Sequence, residues 1–366
     1  MNKKILFLIN NLNLGGAENV FVDQANYLAA NGFQVYFGVL SSNNKDNFSG
    51  QLRMEPINFS FRGVFDIGAY KRLANFIEDK KINCVYSTLD NANIAARVAN
   101  AFNHKSCVII RESGMADRKS WKIKLLDKFL NHFVDKIIAV SPQVKDSLLT
   151  YQAKQAHKII VFSNGVDFPF DENTLDRVLA SKDDNTINIL SIGSMKNDNK
   201  GQAGLIRLVG SLKQSHPQLN IKLILVGDGK LRPKLEELAE RHAVAGRVIF
   251  AGYLDKKQIG NYYRSADIYI LNSRNEGCPN VVLEAMSYGL PVIATKVGGT
   301  REMIKDGVSG FLLKRGDYDR MKELIVMLSQ DKNKRIEIGQ QAYQRIERRF
   351  LLDDKMQELI KVLNLH

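Results

Sequence analysis

Cysteine is scarce: the 366 residues hold three, Cys84, Cys107 and Cys278, far apart and without a C-x-x-C pair. That excludes a disulfide framework and a zinc knuckle and predicts a reduced, cytosolic setting. Long apolar runs are missing as well. Nothing approaches the roughly 20 apolar residues that span a bilayer. The run Ile5–Ile9 is too short for a signal-peptide core and is closed by Asn10 and Asn11. Any membrane association expected from the sequence is therefore peripheral. No internal repeat and no low-complexity tract occurs, which excludes solenoids and arrays. Acidic residues are in deficit, 39 Asp plus Glu against 52 Lys plus Arg, for a net charge of +13. The excess leans to the N-terminal half, where 21 basic residues face 13 acidic ones before Gly165. Such a balance invites nucleic acid, an anionic membrane surface or phosphorylated substrates. Nucleic acid is the least favoured of these, because the basic residues are not interleaved with stacking aromatics in any recognisable module.

What is present is an alternation. The length allows two to three domains, and 45% hydrophobic with 25% charged residues is ordinary for a globular chain. Short apolar runs at Ile5–Ile9, Gln34–Val39, Ile82–Tyr86, Cys107–Ile110 and Lys136–Val140 are separated by helix-length amphipathic stretches. The pattern restarts at Ile187–Ile192, Lys222–Val226, Val248–Phe250, Ile268–Leu271 and Val292–Ala294. Strands without alternating polarity, flanked by helices, predict parallel sheets covered on both faces. The expected fold class is α/β, with two facing doubly wound Rossmann-like domains and a cleft between them. The expected boundaries are residues 1–170, 186–345 and a C-terminal helix over 346–366 that packs back toward the first domain. The polar stretch Asp171–Asn185 reads as the linker. In such sheets ligands bind beyond the C-terminal ends of the strands, so functional residues are expected just after each apolar run.

Three segments in those places carry chemistry. After the first strand comes Asn10-Asn11-Leu12-Asn13-Leu14-Gly15-Gly16-Ala17-Glu18, where two glycines let backbone approach a ligand at a helix N-terminus. It lacks the G-x-G-x-x-G dinucleotide spacing and can equally be a plain tight turn. After Leu225-Val226 comes Gly227-Asp228-Gly229, a second strand–turn in which Asp228 could cap a helix starting near Leu231. The most informative run is Asn275-Glu276-Gly277-Cys278-Pro279-Asn280-Val281-Val282-Leu283-Glu284. Two helical glutamates are usually solvated surface charges. Here one sits at a helix mouth beside the backbone N–H groups of Gly277, Cys278, Asn280 and Val281, and the other lower on the helix. A sugar diphosphate suits that arrangement, with the phosphate at the helix end and the carboxylates accepting sugar hydroxyls.

The segment Glu276–Thr295 resembles the E-x7-E signature of the family-4 retaining glycosyltransferases. Gly298-Gly299-Thr300-Arg301-Glu302, Asp306-Gly307-Val308-Ser309-Gly310-Phe311, Gly15-Gly16-Ala17-Glu18 and Val140-Ser141 are similar to further segments of that family, in order along nearly the whole chain. The resemblance implies the GT-B architecture, with the acceptor bound mainly by the first domain and a nucleotide-sugar by the second. It assigns Glu284 to the ribose hydroxyls and Glu276 to the donor-sugar hydroxyls. Asn280 and Val281 N–H groups would meet the diphosphate, with Gly16 approaching it from the other domain. The base would lie against Tyr253 and Leu254. Transfer would proceed with retention and without an obligatory metal or other cofactor, Lys200 stabilising the leaving diphosphate. Two departures stand out. Ser194 occupies the position where the family usually has Arg, in a loop one residue longer than the commonest form. Glu112 stands where many relatives have His, and none of the six histidines falls at a motif position. Glu112 suits a substrate hydroxyl or the role of base, or else an ion pair with Arg111 or a nearby Lys.

The stretch Arg118–Leu130 carries the only Trp and five basic residues, with Trp121, Leu125 and Phe129 spaced i, i+4, i+8. Either this stripe packs on the sheet, or the helix is interfacial, with Lys119, Trp121, Lys122, Lys124 and Lys128 meeting a membrane or acceptor. The expected function is transfer of a hexose or N-acetylhexosamine, from a donor that is more often UDP-linked, to a lipid-linked or cell-surface glycan in bacterial polysaccharide or lipopolysaccharide synthesis. The expected location is the cytoplasm, at the cytoplasmic face of the inner membrane. The alternatives are a sugar-nucleotide-binding partner subunit impaired by Ser194, and a GT-B sugar-nucleotide epimerase.

Overall fold

A computed structural model describes residues 3–12, 15–41, 52–63, 65–103, 106–169, 174–175 and 185–364. Most of the expected linker, Asn13 and Leu14 of the glycine loop, and His104 and His366 lie outside the described residues. The chain divides into two compact units, Met1–Asn164 with Leu352–His366, and Gly165–Leu351. Among the described residues no helix is long and apolar enough to cross a membrane.

The first unit is built on a parallel sheet of strands β1 (Lys4–Ile9), β2 (Gln34–Val39), β3 (Pro56–Asn58), β4 (Cys84–Thr88), β5 (Cys107–Glu112), β6 (Lys136–Ala139) and β7 (Ile159–Val161), in the order β3-β2-β1-β4-β5-β6-β7. Its helices include α1 (Gly16–Ala30), α2 (Ile67–Asp79), α3 (Asp90–Asn103), α4 (Trp121–Leu130) and α5 (Pro142–Gln152). Local signals set their starts: Ser120 and Ser141 accept hydrogen bonds from the first turns of α4 and α5, and Pro142 opens α5. Strands such as Lys-Ile-Leu-Phe-Leu-Ile are buried from their second residue on, because helices cover both faces. Phe7, Phe21 and Tyr86 form an aromatic centre with ring centroids 4.8 to 5.3 Å apart.

The second unit repeats the plan with β8 (Ile187–Ile192), β9 (Ile221–Val226), β10 (Val248–Gly252), β11 (Ile268–Leu271), β12 (Val292–Thr295) and β13 (Phe311–Leu313), all parallel, in the order β10-β9-β8-β11-β12-β13. Helices α6 (Gln202–Ser215), α7 (Arg232–Arg241), α8 (Lys256–Ser265), α9 (Asn280–Ser287), α10 (Thr300–Met303), α11 (Tyr318–Gln330) and α12 (Lys332–Phe350) cover it. Helix α12 runs through the boundary expected at 345/346, and its Ile346 and Phe350 belong to the core of the second unit. The returning segment therefore starts at Leu352, with α13 (Leu352–Val362). Its Met356, Leu359 and Ile360, followed by Leu363, enter the core of the first unit beside Phe7 and Phe21. That spacing is the one a single apolar helix face requires.

Candidate active site

Both sheets reverse their winding once, between β1 and β4 in the first unit and between β8 and β11 in the second. At such a point the loops leaving two neighbouring strands diverge, which opens a crevice at their C-terminal ends. In the second unit those loops are Gly193–Gly201 and Asn272–Pro279, and they are closely joined. The Asn272 side-chain amide donates to Gly201 O at 2.9 Å, and Asn199 donates to Asn275 O at 3.0 Å. The Arg274 N–H donates to Asn199 O at 2.7 Å, and its guanidinium pairs with Asp198. Gly201 turns left-handed there (φ +65°), and a Cβ on it would lie 2.4 Å from Asn272 O. From the other side Gly298 (φ +48°) packs so closely that a Cβ would fall 2.2 Å from Glu276 O, while Gly299 N–H donates to Gly277 O at 2.8 Å.

Lys200 and Glu276 face each other across this crevice, Nζ donating to Oε1 at 2.6 Å. The lysine stem lies over Gly193, where a Cβ would come within 2.7 Å of Lys200 Cγ. The pair keeps some contact with solvent, 24% for Lys200 and 13% for Glu276. Helix α9 begins at Asn280, directly after Pro279, so Asn280 and Val281 stand at the positive end of its dipole beside Glu276. Glu284, one turn down, accepts a hydrogen bond from the Tyr263 hydroxyl at 2.7 Å. Burial, reinforced by the Glu284 carboxylate, pushes the Tyr263 pKa well up, so its hydroxyl stays a donor. Tyr263 is itself stacked on Tyr288, centroids 5.0 Å apart. At the end of β10 Tyr253 is exposed and Leu254 packs against the apolar core.

Ser194 is exposed, its hydroxyl accepting from the Lys196 N–H at 3.3 Å. Lys200 is thus the cation that the loop brings to Glu276. Asp228 does not cap the following helix as expected. Helix α7 starts at Arg232 after Leu231, and the Asp228 carboxylate accepts from Gly229 N–H at 2.6 Å and pairs with Arg232 at 3.3 Å.

In the first unit Asn10, after β1, accepts from the Ala92 N–H at 2.8 Å and so ties the loop after β1 to the first turn of α3. Gly16 opens α1, and a Cβ there would meet nothing within 4 Å, so backbone approach by a ligand is sterically open. Glu112, at the end of β5, is a different matter. It is buried and accepts from Lys119 Nζ at 2.7 Å. Arg111 does not pair with it; its Nη2 donates to Asn164 at 2.7 Å. Lys119 corrects the expectation of a surface contact. Its side chain is 7% exposed and also binds Asp127 at 3.0 Å and Asp90 at 3.4 Å. Burial alone would lower its pKa, but the Glu112 and Asp127 carboxylates outweigh that and raise it. Glu112 is accordingly a member of an ion-pair cluster rather than a carboxylate open to a hydroxyl. By contrast Trp121, Lys122 and Lys128 are exposed, as the interfacial alternative expects, and Lys124 is partly so. Sequence reasoning missed Tyr263, Asn272 and the Arg274–Asp198 pair. A polar Asn directly after the apolar run Ile268–Leu271 was the one available signal among them.

Two family models match the chain. "Glycosyltransferase Family 4" covers residues 14–168 and "Glycosyl transferases group 1" covers residues 172–345. Among curated relatives, an uncharacterized glycosyltransferase of Methanocaldococcus jannaschii is 26% identical over 76% of this chain and 75% of its own length. The capsular polysaccharide biosynthesis glycosyltransferase CapM of Staphylococcus aureus is 25% identical, over 67% of this chain and 66% of its own. Among solved structures, Anabaena HepE in complex with UDP and glucose superposes with a TM-score of 0.84 at 22% identity, over 99% of both chains. Two Rossmann-like sheets of this order, the Glu276–Glu284 segment at the second crevice, and family models covering both halves agree: the chain belongs to the family-4 glycosyltransferases of GT-B fold.

Proposed function

We propose that this glycosyltransferase moves a hexosyl or N-acetylhexosaminyl residue from a UDP-sugar, held by the second unit, to a glycan acceptor carried at the cytoplasmic face of a membrane, with retention of configuration. The observation that carries the reading is the Lys200–Glu276 pair at the crevice between β8 and β11. An ammonium and a carboxylate at 2.6 Å, next to a helix N-terminus, supply the two things a departing nucleoside diphosphate and its sugar need. The ammonium and the α9 amides meet negative charge that grows on the leaving diphosphate. Glu276 accepts sugar hydroxyls and fixes the ring, and Glu284, oriented by Tyr263, accepts the ribose hydroxyls. The Tyr253–Leu254 turn offers a flat apolar surface to the base. Charge stabilisation by Lys200 replaces a divalent cation in this scheme, so activity is expected to survive chelation. UDP and glucose in HepE, and capsular polysaccharide synthesis by CapM, support the donor and acceptor classes by analogy.

The test is a donor screen with purified chain, reading UDP release and glycan product by mass spectrometry with and without EDTA. A UDP-sugar that stabilises the protein and turns over in EDTA is the expected result. No thermal stabilisation by UDP sinks the donor assignment. Ser194, which brings a hydroxyl where the family has Arg, favours one second reading, a binding subunit without turnover. UDP stabilisation with no donor hydrolysis would select it.

A further inference from the structure

Helix α4 is inside out. A helix on a globular protein normally turns its apolar stripe to the core and its charges to water. In α4 the inward residues are Asp127 and Leu130, whereas Trp121, Leu125 and Phe129 are 71%, 62% and 67% exposed. The cause is the buried cluster. Asp127 pairs with Arg97 at 2.8 Å, both side chains 1% exposed, and with Lys119 at 3.0 Å. It also accepts from the Tyr151 hydroxyl at 2.9 Å. Asn131, at the C-terminal end of the helix, accepts from the same Arg97 at 2.7 Å. Rolling α4 to bury its stripe would strip Arg97 and Lys119 of a carboxylate in a dry interior, which is the costlier alternative. Its apolar face is therefore held outward by its polar one.

We propose that α4 is a docking helix for an anionic bilayer surface, kept apolar-face-out by the Arg97–Asp127–Lys119 cluster. This deepens the membrane side of the function proposed above, but it stands on the first unit alone and does not need the donor assignment. Two observations choose a bilayer over a second copy of the chain. The face is flanked by Lys122, Lys124 and Lys128, and the helix's only acid, Asp127, is buried. A two-fold contact between copies would set lysine against lysine. The large apolar side chains exposed on this ten-residue helix, Trp121, Leu125, Phe129 and the less exposed Leu126, are also far short of the roughly 800 Å² per partner that a stable dimer needs. Trp and Phe beside lysines match the headgroup boundary, where rings enter the acyl edge and ammonium groups meet lipid phosphates. The Lys122 ammonium already lies 5.7 Å from the Trp121 ring centre.

Trp121 is the only tryptophan in the chain, so its fluorescence reports this face directly. The full chain is titrated with vesicles of phosphatidylcholine containing phosphatidylglycerol, and with phosphatidylcholine alone. The expected result is a blue shift and protection from acrylamide with the anionic vesicles only, reversed by salt. Lys122→Glu/Lys124→Glu should weaken vesicle affinity at least about thirtyfold, since each lost lysine near such a surface counts for roughly a factor of five. Leu125→Ser/Phe129→Ser should abolish the blue shift. Stabilisation by UDP should be unchanged in both variants, which separates this proposal from the donor site. Asp127→Asn tests the positioning role: Trp121 should become less quenchable in buffer and vesicle affinity should fall. An Asp127→Asn protein with native circular dichroism and unchanged quenching and binding would refute that role. If it fails to fold, the two surface variants still decide the docking. Trp121 emission indifferent to anionic vesicles overturns the proposal. So does a blue shift that grows with protein concentration in buffer, accompanied by a dimer in sedimentation.

Discussion

The two units each set a Lys–Glu ion pair at the C-terminal edge of a parallel sheet, and the pairs do opposite things. Lys200–Glu276 (2.6 Å) lies in a crevice between diverging loops, with part of each side chain open to solvent. Lys119–Glu112 (2.7 Å) lies one strand away from the corresponding crevice, closed in and shared with Asp127 and Asp90. Distance and residue type are nearly the same. What separates a substrate-facing pair from a structural one is how many other charges share the lysine and how much water reaches it. An ammonium with one carboxylate partner and open space can turn to a phosphate. An ammonium held by three carboxylates cannot leave without stripping the buried Glu112 of its cation.

The largest expected effect breaks the closed cluster. Arg97→Met leaves Asp127 buried with one partner fewer, and should cost the first unit about 3–5 kcal/mol. Urea unfolding followed by hydrogen exchange of β4 and β5 would measure it, and UDP binding by the second unit should persist. Next comes the open pair. Lys200→Ala should lower kcat/KM by roughly 10²–10³, the scale for losing one group that meets transition-state charge, with little change in unfolding midpoint. If Lys200→Ala instead unfolds the protein while Arg97→Met is benign, the contrast between the pairs is reversed. A smaller effect is expected at Tyr263→Phe, which removes one hydrogen bond to Glu284 and should weaken UDP-sugar binding by about 1 kcal/mol, seen in KM rather than kcat.

Acid sharpens the comparison further. Burial works against ionisation of Asp127, but Lys119 and Arg97 outweigh it and hold its pKa below the usual value. A carboxyl depressed on folding stabilises fully above its unfolded pKa, about 3.9, and that contribution fades as pH falls through the lower folded value. The first unit should therefore lose stability below about pH 4. In Asp127→Asn that part of the pH dependence should vanish, which circular dichroism across an acid titration would show.

The sheets were legible because they are buried on both faces, so each central strand is a plain apolar run, as in Ile5–Ile9 or Ile268–Leu271. The three-residue edge strands were not: Pro56–Asn58, Ile159–Val161 and Phe311–Leu313 are too short to stand out. Glu276, Glu284 and Lys200 were legible through family likeness, because a segment fixed by glycine close approach and a helix start leaves a recognisable string of residues. The inverted helix was only half legible. The i, i+4, i+8 stripe of Trp121, Leu125 and Phe129 reads the same whether it faces core or solvent. What decides is Arg97, some 30 residues earlier, and a long-range ion pair leaves no local periodicity. Lys119 was misplaced for the same reason, since three of its partners come from three different elements.

The return of the chain at Leu352 also fixes an order of assembly. Domains generally fold as units, the N-terminal one first during synthesis. Here the core of the first unit includes Met356, Leu359, Ile360 and Leu363, while the second unit is continuous from Gly165 to Leu351. On the ribosome the second unit has its whole core available before the first does. The unit that is begun first is finished last, and until α13 emerges part of the apolar core beside α1 waits uncovered.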